Sequence, residues 1–428
     1  MAASMRRDSP WLALILLTAI STVGFVDRIV MNVLAVPIQA EFALSDTQVG
    51  LLTGLAFAVL NVALGIVVAR YAERGHRLSL IAVGTLLWSI FTAACGLVTN
   101  WVQLLLARIG VGVGEAVGLP AAQSVISDYF PPERRATALG VFLLAPPIGA
   151  FLGSAGGSWI GQEFGWRQAF FIATIPGVLL AIAAWALIAE PPRGRHDAGA
   201  GDEVPSLGSV FRRLVGLGSA RQLLAGSTLA SMVGFGLNSF MAFLLVRKFG
   251  FSLAQAGLFA GLLASLPGAI SVVAGGRLAD RFGARNPAAY ARIPGLCLLV
   301  AAPIYMFAIT QDDVVLLLLL VFVAALFQYT YLGVTFGVFQ NLLHPRMRAT
   351  GSALLNTVYG LIGQGLGPLL VGWLSDRLAP DFGAGNGLAY AMAIVAAIYL
   401  WAGAHYLLAG RHLKGDLAAM REASASSA

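Results

Sequence analysis

The chain has 428 residues, 58% of them hydrophobic and only 11% charged, with a mean hydropathy of +0.82. A water-soluble protein of this length cannot hide so much apolar surface, which excludes a soluble enzyme. The formal charge of +7 could suggest a nucleic-acid partner, but the positions of the charges exclude that too.

Apolar stretches of about 20 residues, the length at which a helix crosses a bilayer, recur along the whole chain. Their length and lack of alternation predict helices rather than strands. In chain order the twelve predicted spans are 11–37, 46–69, 79–98, 102–127, 136–160, 168–189, 222–246, 253–276, 289–309, 314–340, 349–374 and 387–409. Arg6 and Arg7 precede the first span as in a signal peptide, but that run is long and carries Asp27-Arg28. It is expected to be a retained first helix.

Of the 27 Lys and Arg, 21 fall at the N-terminus, in the even-numbered loops or in the C-terminal tail. Arg167, Arg247, Lys248 and Arg377 lie on the other side, and Arg28 and Arg108 within spans. By the positive-inside rule both termini of this multi-pass protein are expected in the cytoplasm, and its short loops and only two Lys suggest a bacterial inner membrane. Cys95 and Cys297 sit in spans and read as small packing residues. Five scattered His give no metal-ligand spacing, and no Gly-rich phosphate loop with Lys occurs. No metal or cofactor is expected.

The longest loop, 190–221, opens with Glu190-Pro191-Pro192-Arg193 and passes through Gly/Asp/Glu-rich sequence. It ends with Leu207, Val210, Phe211, Leu214 and Val215 at helical spacing, which reads either as a short helix on the inner leaflet or as an ordinary linker with a helical tail. The expected organisation is an N-terminal six-helix half at 1–189, this linker at 190–221, a C-terminal six-helix half at 222–410 and a tail at 411–428.

The halves repeat. Pro132-x-x-Arg135-Ala136-Thr137 returns as Pro345-x-x-Arg348-Ala349-Thr350, and Arg70-Tyr71-Ala72-Glu73-Arg74 as Arg277-Leu278-Ala279-Asp280-Arg281. Six-helix parallel repeats are a transporter architecture. The segment Gly275-Gly276-Arg277-Leu278-Ala279-Asp280-Arg281-Phe282-Gly283 resembles the cytoplasmic loop signature of the major facilitator superfamily; the first copy departs from it at Ala69 and Glu73. Gly367-Pro368 and Ala145-Pro146-Pro147-Ile148-Gly149 resemble that family's Gly-Pro helices. More narrowly, Phe25-Val26-Asp27-Arg28, Ser45-Asp46-Thr47-Gln48, Arg108-Ile109-Gly110-Val111-Gly112-Val113-Gly114-Glu115-Ala116 and Ser127-Asp128-Tyr129-Phe130 resemble the Spinster branch. The resemblance implies an all-α fold of twelve transmembrane helices in two pseudo-symmetric halves. It also implies transport of sphingoid phosphates or lysophospholipids, coupled in some members to protons.

Four ionisable residues lie inside spans: Asp27 and Arg28 in span 1, Arg108 and Glu115 in span 4. A charge there costs at least ~2.5–3.5 kcal/mol on insertion scales, so it marks a working site. Arg108 and Glu115 are seven apart, two turns on one face. Depth favours pairing Asp27 with Arg108 and Arg28 with Glu115. Glu115, then Asp27, are the expected proton carriers, because Arg does not release a proton. Arg28 and Arg108 are the expected anchors for an anionic head group. The second half offers Asn238, Phe240, Gln328, Tyr329, Tyr331, Asn356 and Tyr359 as a neutral wall of the cavity, with Gln328 standing where the repeat places Glu115. Glu73, Arg74, Arg77, Asp280 and Arg281 are expected to gate access from the loops.

Together these residues predict a monomeric proton-coupled secondary transporter, not an enzyme, moving a small amphipathic, anionic or zwitterionic lipid-like molecule by alternating access. The proton is the coupling ion and the lipid bilayer the surroundings. The alternatives are a proton-coupled multidrug or organic-anion carrier and, outside transport, a membrane sensor that keeps the fold.

Overall fold

The computed structural model describes residues 9–59, 61–64, 75–116, 118–193, 207–343 and 347–426. Among the described residues every regular element is helical. Glu73 and Arg74, expected to gate, lie outside them.

Local signals set the helix ends. Helix α1 (Pro10–Phe42) starts with Ser9 as N-cap and Pro10 in its first turn, where a missing N–H costs nothing. After α2 (Asp46–Gly50), which runs on into a π-helical turn at Leu51–Leu55, α3 spans Arg77–Cys95. The Asn100 side chain caps α4 (Trp101–Glu115), and α5 is Gly118–Tyr129. Then come α6 (Pro132–Phe142), α7 (Ala145–Phe151), a π-helical turn at Leu152–Gly156, α8 (Gly157–Phe164) and α9 (Trp166–Leu187). Gly165 separates α8 from α9 at φ 89°, a left-handed backbone that glycine takes freely.

Helix α10 (Leu207–Gly216) lies in the linker and buries Val210 and Leu214 while Phe211 stays exposed. It is followed by α11 (Gly218–Phe249), α12 (Leu253–Gly283) and α13 (Ala289–Thr310). Asp313 caps α14 (Val314–Gln328), and α15 is Thr330–Leu342. The last elements are α16 (Arg348–Val358), a π-helical turn at Tyr359–Leu366, α17 (Gly367–Ala396) and α18 (Ile398–Ser426).

Ten continuous helical runs among the described residues are long and apolar enough to cross a membrane. Two further crossings complete twelve. One is made by α4 and α5, of 15 and 12 residues, neither long enough alone. The other comes from the 67-residue run Leu354–Met420, which far exceeds a single crossing and breaks at Gly383 (φ 79°, ψ 160°). Large apolar side chains such as Trp185, Leu97 and Val83 are 65–70% exposed, as expected of surfaces that meet lipid tails.

The chain forms two compact units. Unit 1 is Met1–Ser45, Leu51–Gly201 and Gly250–Gly261; unit 2 is Asp46–Gly50, Asp202–Phe249 and Leu262–Ala428.

In unit 1 the α7–α8 segment packs on α1 through four glycines at four-residue steps. A Cβ on Gly149, Gly153, Gly157 or Gly161 would come within 2.5, 2.7, 2.7 and 2.5 Å of Phe25, Val26, Val30 and Leu34. Only glycine lets the helices approach so closely. This seam backs the turn of α1 that carries Asp27 and Arg28.

Candidate functional site

The four intramembrane charges all lie in unit 1. The Arg28 guanidinium donates to Glu115 Oε2 at 2.5 Å, joining α1 to the end of α4, and the Glu115 side chain is only 5% exposed. The expected Arg28–Glu115 pair is therefore present. The expected Asp27–Arg108 pair is not. Asp27, buried on α1, accepts a hydrogen bond from the Thr92 hydroxyl on α3 instead. Depth along a helix sets a residue's level but not its azimuth, and at this level Asp27 faces α3.

Arg108 is 1% exposed and has no ion pair among the described residues; its Nε and one terminal nitrogen lack hydrogen-bond partners. It sits 5.6 Å from the centroid of the Phe57 ring, which Arg28 also approaches at 4.6 Å. Phe57 thus lies against both cations, a contact worth roughly 2 kcal/mol when desolvated. Asp27 Oδ1 and Glu115 Oε1 are likewise without partners. Buried polar atoms are nearly always satisfied, and four of the unpaired ones among the described residues gather on Asp27, Arg108 and Glu115.

The glycines around Glu115 serve close packing. A Cβ on Gly112 would meet the Phe57 carbonyl at 2.8 Å, and one on Gly114 the Trp88 backbone at 2.5 Å. Sequence reasoning missed Thr92 and Phe57. A hydroxyl or an aromatic ring in an apolar span carries no charge signal to single it out.

Unit 2 is neutral where unit 1 is charged. The Tyr305 hydroxyl donates to Gln328 Oε1 at 2.5 Å, and Asn238 Nδ2 donates to the Tyr329 hydroxyl at 3.0 Å. Gly234 leaves room for the Gln328 amide, and Tyr399 stacks on Tyr305 at 5.9 Å. Gln328, 3% exposed, is thereby locked between helices. Phe240, fully buried, packs on Phe243. Both residues are buried by these contacts. Tyr331 packs edge-on against Tyr406 and Tyr359 against Phe336, both buried, whereas Asn356 is exposed.

The loop residues separate as well. Arg77 is 1% exposed and donates to Asp128, to Glu190 at 2.6 Å, and to Ser124 and the Pro191 carbonyl at 2.9 Å. These bonds, all within unit 1, hold α3, α5 and the chain after α9 together. Asp280 faces the Tyr290 hydroxyl, and Asp280 and Arg281 are both exposed.

Unit 2 contains one further charge cluster that the sequence reading did not assemble. Arg247 donates to both Asp46 oxygens at 2.6 and 2.7 Å, and Ser375 adds a third bond at 2.6 Å. Asp376 accepts from the Asp46 and Thr47 backbone N–H groups at 2.8 Å, capping the start of α2. No cluster of His, Cys, Asp or Glu able to hold a metal occurs among the described residues.

Fold and charged interior together define a secondary membrane transporter. The chain belongs to the major facilitator superfamily, whose model matches residues 16–368. It is 32% identical to an MFS-type efflux pump of Mycolicibacterium smegmatis, covering 95% of this chain and 94% of that one. It is 26% identical to the spinster homolog 1 protein of Mus musculus over 87% of this chain and 74% of that one. A crystal structure of a bacterial homolog of the human lysosomal transporter Spinster, inward-facing and unoccupied, superposes with a TM-score of 0.87. The two are 32% identical, with coverage of 95% of this chain and 98% of that one.

Proposed function

We propose that the protein is a proton-coupled carrier of an amphipathic, lipid-like molecule with an anionic or zwitterionic head, of the lysophospholipid or sphingoid phosphate class. The observation that carries this reading is Arg108, a buried cation with no ion pair among the described residues. A buried charge without a close partner is costly, and an anionic head group would relieve it. Phe57 and the apolar helices around it suit the tail. A Danio rerio relative, 24% identical over 89% of this chain and 79% of its own length, is a sphingosine-1-phosphate transporter, which favours the same substrate class.

Protons fit the same site. Glu115 and Asp27 each keep one oxygen free of hydrogen bonds, the position at which a proton adds. Protonating Glu115 removes its attraction for Arg28 and releases α1 from α4, while an incoming anion at Arg28 does the same from the other side. The proton thereby competes with Arg28 for Glu115, and the anionic substrate competes with Glu115 for Arg28, during alternating access. In this reading both termini face the cytoplasm of a bacterial inner membrane.

The test is Arg108→Ala in purified protein. Affinity for a lysophospholipid or sphingoid phosphate is expected to fall by about 2–5 kcal/mol, with a much smaller loss for an uncharged amphiphile of the same chain length. Equal losses for the two remove the anchor. The efflux-pump relative supports a second reading, an organic-anion or multidrug exporter. It predicts the same dependence on Arg108 but for compact anions, and no gain in affinity with tail length.

A further inference from the structure

We propose that unit 2 carries a binding site for a membrane phospholipid on its flank, at the end of the helices opposite the termini. An acyl chain lies in the groove between α13 and α17, the lipid phosphate at Arg377 and its headgroup amine at Asp381. The site is independent of the transport reading and shares no residue with the four buried charges.

The groove has a volume of about 460 Å³ and is bordered by Met306, Leu378, Phe382, Tyr390 and Ile394. This lies within the ~300–1,000 Å³ of ordinary ligand pockets. Leu378 and Phe382 precede the chain reversal at Gly383, and Tyr390 and Ile394 follow it. The groove is therefore at the level where α17 turns back. Phe382 and Tyr390 meet edge to face at 4.9 Å and form one wall. Phe382 and Ile394 are about half exposed, so the groove opens sideways, toward lipid. An apolar groove holds no ordered water, which leaves a hydrocarbon chain as its natural filler.

Charge identifies the head. Four cations lie at this end of the spans. Arg167 is held by Glu41, Arg247 by Asp46 and Lys248 by Asp312. Arg377 alone of the four has no acidic partner among the described residues; its guanidinium rests 4.9 Å over the Trp373 ring. It immediately precedes Leu378 of the groove. Asp381, one turn further, is exposed and forms no ion pair with Arg377. An unpaired cation and acid one turn apart, beside an apolar slot and flanked by Trp373 and Tyr390, complement a phosphate and an ammonium on one lipid. Aromatic side chains of this kind favour the headgroup level.

Trp373 supplies the reporter. Full-length protein would be reconstituted in phosphatidylglycerol bilayers containing a small share of phosphatidylethanolamine brominated near the carbonyl end of its acyl chains. The Trp373 signal is the difference between the parent and Trp373→Phe. Quenching is expected to saturate at low bromolipid fraction and to exceed several-fold that produced by brominated diacylglycerol, which lacks phosphate and amine. Arg377→Gln should reduce quenching to the diacylglycerol level. Ala397 also borders the groove, and Ala397→Phe, which fills it, should lower quenching in protein that still elutes as the parent does. Quenching that rises in proportion to bulk bromolipid, is equal for the two lipids and ignores Arg377→Gln overturns the site and leaves ordinary boundary lipid. Failure to select phosphatidylethanolamine over the phosphatidylglycerol host overturns it as well.

Discussion

Units 1 and 2 carry repeated sequence words but fill their interiors with different chemistry. Unit 1 buries Asp27, Arg28, Arg108 and Glu115, with several polar atoms left unsatisfied. At the position the repeat assigns to Glu115, unit 2 has Gln328, closed off by Tyr305. The same asymmetry holds at the loop ends: Arg77 is enclosed by two acids, whereas Arg285, after the second copy of the loop words, is exposed. An amide and a phenol satisfy each other permanently. A carboxylate and a guanidinium do so only until a proton or an anion competes. In the proposed reading, unit 1 is built to be rearranged and unit 2 to stay as it is.

Making unit 1 resemble unit 2 is the strongest test of that contrast. Glu115→Gln keeps the shape of the side chain but removes the proton acceptor. It is expected to abolish pH-gradient-driven transport in reconstituted vesicles while substrate exchange without a gradient persists. Gradient-driven transport with the parent's pH dependence would reduce the four charges to a structural cluster.

The loop ends provide the next largest effect. Arg77→Gln removes the buried cation that Asp128 and Glu190 share and is expected to cost about 3–5 kcal/mol. Arg285→Gln, on an exposed arginine, should stay within about 0.5 kcal/mol. Thermal unfolding in detergent separates the two, and equal shifts would erase the difference between the units.

The smallest effect belongs to the neutral interior. Tyr305→Phe leaves Gln328 Oε1 without its donor, at about 1–3 kcal/mol of stability. The pH profile of transport should not move. A shifted profile would mean that unit 2 takes part in coupling.

Much of this was legible beforehand because membranes penalise charge so heavily. The span pattern, the repeat and the Arg28–Glu115 pair follow from hydropathy, spacing and depth. What remained hidden depends on azimuth. Depth put Asp27 level with Arg108, but only packing shows that it turns to Thr92. The same limit applies to Gln328 and Phe240, which the repeat places at a suitable depth but whose side chains point into packed interior. Arg77 reads as a loop cation until its two acids, 51 and 113 residues away, are brought to it.

The glycine seam beside α1 has a consequence for which changes in chain length the protein can bear. Four residues of an ideal α-helix turn it about 40° past a full rotation, so three such steps would swing Gly161 about 120° away from the line of Gly149. The wider π-helical turn at Leu152–Gly156 falls between them and winds back part of that excess, keeping all four glycines toward α1. The inserted residue is thus a phase correction written into the chain. Losing the one inserted residue would restore a regular α-helix with the outer glycines eleven residues apart, about 20° out of line, whereas adding a residue to the regular turns on either side would swing half the seam about 100° away from α1. Lineages that lengthen this chain are expected to do so in the 190–221 linker and not between Gly149 and Gly161.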